Sequence, residues 1–242
     1  MFSAIIDSIT TGDTSKLKLA IAGLLLSLPV IFLALCVHEV AHGFVANKLG
    51  DPTAKNLGRL TLNPLKHLDP IGFLSMVMFG YGWAKPVPIN TRHFKKPRAG
   101  MALCAAAGPI SNIVMALIFT AIMKIFTLVL PLIPTTTLFA QNVVSFTAMM
   151  LSAGVFLNLS YAVFNLIPIP PLDGSKILYM FLPAKIYMKV VQFERYIYFV
   201  LLALVIFGAI GYILYFVVVP TMFLLSLIFQ IDFTILAMYL FF

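Results

Sequence analysis

Two histidines and one glutamate stand at a spacing suited to metal-assisted hydrolysis. In His38-Glu39-Val40-Ala41-His42 the imidazoles lie at i and i+4, so both project from one helix face and can share an ion. Glu39 is turned about 100° from His38 and about 60° from His42, which puts it beside the shared ion and not on it. From there a carboxylate can take a proton from an attacking water and pass it to a leaving amine. Imidazole and carboxylate ligands with one position open to water describe hydrolytic zinc sites, so the expected cofactor is Zn2+, one per chain. The chain has only four histidines and two glutamates, and the motif takes three of these six residues.

The motif lies inside an apolar run over residues 19–46, longer than the ~20 residues that cross a bilayer. A plain alternative is that these residues line a polar gap between helices. An unpaired charge at that depth is costly, however, and is usually kept for a function.

Composition sets the same frame. Apolar residues make up 62% of the 242 and charged residues 10%, where a soluble domain carries about 25% charged; mean hydropathy is +1.05. The chain is expected to be an all-α polytopic membrane protein, one integral domain over residues 1–242, with room for about five spans. Net charge is +8, but nine of the sixteen cations fall in residues 48–98, between spans. The positive-inside rule accounts for them, and no nucleic-acid partner is implied. Cys36 and Cys104 both sit in apolar segments, so no disulfide framework is indicated. Cys36 points about 200° away from His38 and is read as a small buried thiol, not a ligand.

The elements follow from the apolar runs. A short interfacial helix is expected over residues 2–10 and a first span over 19–47, loosened at Pro29. The apolar stretch 71–83 is too short to cross and reads as re-entrant or sheet-like, giving a β-like segment near 71–90. A second span covers about 101–126, opening on the small residues Ala105-Ala106-Ala107-Gly108, which let helices approach closely. A third covers 139–166 and breaks in the proline-rich stretch 165–174. A C-terminal helical pair is placed over about 196–218 and 221–242. The basic loops at 48–98 and 176–195 place themselves in the cytoplasm. His38 is ten residues before Lys48, ~15 Å from that helix end, so the motif lies in the cytoplasmic half of a multi-pass cell-membrane protein.

Two imidazoles and a water leave one zinc position. Asp51, Asp69 and Glu194 lie in basic loops and read as solvated or paired charges. Asp173 follows an unwound helix end at a depth compatible with His38. Spacing alone leaves it open between a third ligand and an N-cap of a short helix beginning near Gly174. His67 and His93 read as surface histidines. Asn112 reads as an interhelical hydrogen bonder, and Asp232 stands alone in the last apolar run.

The pairing of His38-Glu39-x-x-His42 with Asn165-x-x-Pro168-x-Pro170-x-x-Asp173-Gly174 resembles the site-2 protease family of intramembrane metalloproteases. Gly50-Asp51-Pro52-Thr53-Ala54, Gly58-Arg59-Leu60-Thr61-Leu62-Asn63-Pro64, Gly82-Trp83-Ala84-Lys85-Pro86-Val87-Pro88 and Ala107-Gly108-Pro109-x-x-Asn112 resemble its compact bacterial branch. The likeness covers about residues 19–182, the expected catalytic core. It implies that His38, His42 and Asp173 ligate zinc, that Glu39 is the general acid and base, and that Asn165 orients the scissile carbonyl or holds the oxyanion. A second reading of Asn165 is a donor to carbonyls freed by the helix break. The resemblance also implies that stretch 81–90 pairs with an unwound substrate as an added strand. Regulation by a PDZ-like insertion or a nucleotide-sensing tail is not expected.

These readings converge on a zinc endopeptidase that cuts transmembrane segments of membrane proteins, with a substrate span and the lipid bilayer as its partners. Oligomeric state is left open. Two other classes compete: a metal or proton transporter, which also uses buried His and Asp, and an inactive binder of membrane segments.

Overall fold

The computed structural model describes residues 10, 12, 14–79 and 82–231. The expected interfacial helix at 2–10, Asp232 and the end of the last expected span lie outside the described residues. Among the described residues the fold is all-α, with eight α-helices and no named strand. These are α1 (Ser15–Lys48), α2 (Thr53–Asn56), α3 (Pro70–Phe79), α4 (Pro97–Val129), α5 (Leu138–Leu166), α6 (Asp173–Tyr179), α7 (Ala184–Ile206) and α8 (Ala209–Phe229). Four segments are long and apolar enough to cross a membrane: Leu25–Lys48, Pro97–Leu132, Leu138–Leu166 and Ala209–Phe229.

Helix α4 is central and packs on α1, α5 and α6. Its sequence explains why. Gly100, Cys104, Gly108, Asn112, Ala116 and Thr120 recur every fourth residue and are all buried. At that spacing they form one stripe, and their small size lets neighbouring backbones come close. The opposite face carries Leu103, Ile110, Val114, Leu117, Ile118, Ile122 and Ile125, all exposed. Small and polar residues inside with large apolar residues outside is the arrangement a lipid solvent favours; in water such a face would be a large sticky patch. Pro29, Pro109 and Pro220 are each accommodated within continuous helices.

The proline-rich break falls where expected. Helix α5 stops at Leu166, residues 167–172 run as a non-helical link, and α6 starts at Asp173. Two expectations are corrected. Residues 70–79 form helix α3, begun by Asp69, whose Oδ1 accepts the Gly72 N–H at 2.8 Å; only 82–90 is extended, tied by the single bridge Leu68–Ala84. A short apolar run does not by itself separate strand from helix. The span placed over 196–218 does not exist as one helix: Gly208, at φ +77°, separates α7 from α8. That left-handed conformation favours glycine, while hydropathy runs on across the break. The count of five spans is therefore not reached among the described residues.

The α4–α5 contact depends on Gly154, where a Cβ would fall 2.3 Å from Phe119 Cδ1. Replacing Gly154 with Val is expected to lower stability by ~1–3 kcal/mol through overpacking, read as a fall in thermal midpoint in detergent.

Candidate metal centre

The site is assembled from four helices, α1, α4, α5 and α6, and one extended segment. His38 and His42 are buried on α1, and the helix repeat brings their rings to a centroid separation of 4.5 Å, edge to face. Asp173 arrives from the first turn of α6. Its Oδ2 lies 3.1 Å from His38 Nε2 and 3.0 Å from His42 Nε2. No side-chain cap bond forms at this helix start, so the Asp173 carboxylate faces the imidazoles and the salt-bridging Lys176 Nζ, 2.9 Å from its Oδ1. The following glycine permits this. A Cβ on Gly174 would sit 2.2 Å from the Leu166 carbonyl oxygen, so only glycine lets α6 lie against the end of α5 and carry Asp173 inward.

The other nitrogen of each imidazole is occupied by α4. His38 Nδ1 donates to Asn112 Oδ1 at 2.7 Å, and His42 Nδ1 donates to the Cys104 carbonyl at 2.6 Å. Both bonds fix the tautomer that leaves Nε2 unprotonated and able to ligate. Asn112 is itself held, donating to Ala34 O at 3.2 Å and to Asn158 Oδ1 at 3.0 Å, and Asn158 donates to Gly154 O at 2.8 Å. A relay of buried amides thus runs from α5 through α4 to His38. Gly108 closes the floor: a Cβ there would fall 2.5 Å from His42 Cε1 and 2.6 Å from His38 Cε1. The edge of His38 also meets the Tyr161 ring, at 4.9 Å between centroids.

These donors fit a metal. One atom each from His38, His42 and Asp173 lies within 4.8 Å of the others, and all three residues are buried. Two imidazole nitrogens and one carboxylate oxygen, with space on one side, match a catalytic zinc set. The space is a cavity of about 460 Å³ that also meets Glu39, Val87, Asn165 and, from α7, Glu194 and Tyr198.

Glu39 lies beside the donor set. Its Oε2 accepts the Val87 N–H at 2.7 Å, so the carboxylate is oriented by the extended segment 82–90. That segment is pinned along its length. Arg59 donates to Lys85 O at 2.8 Å and to Pro86 O at 3.2 Å, Lys85 N–H donates to His67 O at 2.7 Å, and Asn90 N–H donates to Asp51 Oδ2 at 2.6 Å. Asn165 lines the same cavity, with its amide nitrogen donating to Tyr161 O at 3.0 Å. That bond is a helical side chain's return to the carbonyl four residues earlier, not to a carbonyl freed by the helix break.

Several sequence readings change here. His67 is buried, 2% exposed, with Nε2 donating to Thr61 O at 2.8 Å, and is no surface histidine. Glu194 belongs to α7 and borders the metal cavity instead of standing in a loop. Asp51 is paired, one of its two readings, and not solvated: it is fully buried and accepts from Thr53 N and Oγ1 and from Asn90 N, with His93 Nδ1 at 3.2 Å. Burial alone would raise the Asp51 pKa, but these hydrogen bonds and His93 outweigh it and hold the carboxyl below its ordinary value. Asn112 does bond between helices; its role as the partner of His38 has no signature in a single sequence.

A buried His, His, Asp donor set with a carboxylate alongside, enclosed by membrane-length helices, defines a membrane-embedded metallohydrolase. The chain belongs to peptidase family M50, whose sequence profile matches residues 26–208. It is similar to YwhC of Bacillus subtilis (strain 168), named as a candidate zinc metalloprotease, at 39% identity over 186 residues, 76% of this chain and 82% of that protein. It is similar also to Rip2 of Mycolicibacterium smegmatis, named likewise, at 31% identity over 161 residues, covering 64% of this chain and 54% of Rip2. MJ0611 of Methanocaldococcus jannaschii, again named a candidate zinc metalloprotease, is 30% identical over 142 residues, 58% of this chain and 62% of its own. No solved structure matches the chain. Family and donor set agree on zinc as the cofactor.

Two outcomes follow. Asn112→Leu is expected to weaken zinc binding ~10–100-fold, the usual effect of losing a hydrogen-bond partner of a metal-ligating histidine, measured by competition with a chromophoric chelator. Asp51, with its lowered pKa, stabilises the fold above its unfolded pKa of ~3.9, and that contribution is lost as pH falls through the lower folded value. The thermal midpoint of Asp51→Asn should therefore lie below the parent's at pH 7, with the gap narrowing below about pH 4.

Proposed function

We propose that the protein is an intramembrane zinc endopeptidase that cuts single transmembrane segments of membrane proteins, the hydrolytic step of regulated intramembrane proteolysis. The observation that carries this reading is the approach of Asp173 Oδ2 to 3.1 Å from His38 Nε2 and 3.0 Å from His42 Nε2, beside Glu39 and among membrane-length helices. In this reading His38, His42 and Asp173 hold the zinc. When bound, zinc supplies Lewis acidity toward a carbonyl oxygen and lowers the pKa of water.

The chain's own residues supply the rest. Glu39, oriented by Val87 N–H, accepts a proton from the attacking water and returns it to the leaving amine. Asn165 is placed at the cavity wall to hold the developing oxyanion once its amide turns from Tyr161 O to the substrate. The extended segment 82–90, already fixed by Arg59, Asp51 and Glu39, offers an edge to an unwound substrate, because a helical peptide bond is shielded until the chain is extended. The cations of residues 48–98 and 176–195 set the Lys48 end of α1 in the cytoplasm, so the cut falls in the cytoplasmic half of the bilayer.

Cleavage of model transmembrane peptides in detergent, with zinc determined on the same samples, tests the proposal against its competitors. Glu39→Gln is expected to keep about one zinc and lose turnover by ~10²–10⁴-fold, the range that general acid–base catalysis contributes. Metal flux without cleavage would mark a transporter. Peptide binding that Glu39→Gln leaves unchanged, with no cleavage by the parent, would mark an inactive binder.

A further inference from the structure

The two oxygens of Asp173 have separate partners. Oδ2 is the one near both imidazoles, 3.1 Å from His38 Nε2 and 3.0 Å from His42 Nε2. Oδ1 accepts from Lys176 Nζ at 2.9 Å, and among the described residues it has no other donor. Glu39 is divided in the same way, with Oε2 anchored by the Val87 N–H. Each acid of the centre thus has one oxygen tied to a donor outside the histidine pair.

An exposed i,i+3 ion pair contributes little to a helix. This pair differs because the carboxylate is buried, and a buried oxygen without a donor is costly. Lys176 stands one turn along α6, and its side chain is 36% exposed. Its long stem therefore runs from the surface to the buried acid. The turn that carries Asp173 is itself held, since Ser175 Oγ donates to Leu172 O at 2.7 Å.

A carboxylate can bind a cation through one oxygen or through both. Two oxygens of Asp173 beside two imidazole nitrogens would fill the four positions of a tetrahedral ion, and a hydrolytic site needs one of them for water. A hydrogen bond from a charged donor is the strong kind. It draws electron density from the oxygen it engages, which makes Oδ1 the poorer ligand and leaves Oδ2 to face the imidazoles.

We propose that Lys176 is a positioning residue of the metal centre: by holding Asp173 Oδ1 it confines the carboxylate to binding through Oδ2 and keeps one ligand position for water. The inference rests on the zinc-protease reading above and adds a residue to that site. Loss of Lys176 frees a second oxygen donor and removes a nearby positive charge. Zinc therefore stays bound while the position for water closes, the opposite of what loss of Asn112 does to zinc binding.

Infrared difference spectra between the zinc-loaded and chelator-stripped protein read the carboxylate directly, with carbon-13 in the aspartate carboxyl groups to assign the bands. The antisymmetric and symmetric stretches lie far apart for one-oxygen binding and close together for two. A wide separation is expected in the parent and in Lys176→Arg, which keeps a charged donor. A narrow one is expected in Lys176→Met and in Lys176→Ala, the second donorless form. In these two, zinc affinity should be no weaker than the parent's, and kcat should fall ~10–100-fold, the usual effect of losing a partner of a metal ligand, with KM unchanged. A wide separation in both donorless forms, or zinc affinity lowered in both, would leave Lys176 a structural ion pair and overturn the proposal, whether or not the parent cleaves peptides. The narrow separation in the donorless forms of a parent that cleaves nothing would uphold the role of Lys176 and overturn the proteolytic reading.

Discussion

The structure depends on keeping two imidazoles and a carboxylate in an apolar bundle without leaving any of them unpaired. In that setting an orphaned polar group is expensive, so the ring nitrogens that do not face Asp173 are both taken up by α4, through Asn112 and the Cys104 carbonyl. Those bonds require α4 to lie close to α1, and closeness requires the stripe of small residues from Gly100 to Thr120. Gly108, under both rings, is its narrowest point. The packing of the bundle and the chemistry of the site are therefore one requirement.

The same economy governs the extended segment 82–90. It contains Pro86 and Pro88, which cannot donate to a ladder, and its remaining groups are met mainly by side chains from other elements. Glu39, Asp51 and Arg59 each hold part of it. Because Glu39 is one of these holders, movement of the segment and orientation of the carboxylate are coupled.

What was legible in the sequence follows from the range of the signals. His38, Glu39 and His42 are close in sequence, and the helical repeat alone places them on adjoining faces. Asp173 is 135 residues from His38; spacing left it between cap and ligand, and tertiary packing of Gly174 on Leu166 turned it toward the imidazoles. The small residues opening the second span announced close packing, but the partnership of Asn112 with His38 needed the helix register. Hydropathy could not show the α7–α8 break at Gly208, because a single glycine scarcely interrupts an apolar run. The basic character of residues 48–98 suggested a loop with surface histidines, whereas folding buried His67.

The proposed zinc ligands are two imidazole nitrogens and one carboxylate oxygen. X-ray absorption at the zinc edge of the purified protein reads those ligands directly. Only nitrogen and oxygen scatterers are expected, at ~2.0–2.2 Å, with two of them imidazole. In Asp173→Ala the zinc should be lost or its oxygen shell altered. A sulfur scatterer near ~2.3 Å, or a spectrum unchanged by Asp173→Ala, would contradict this ligand set.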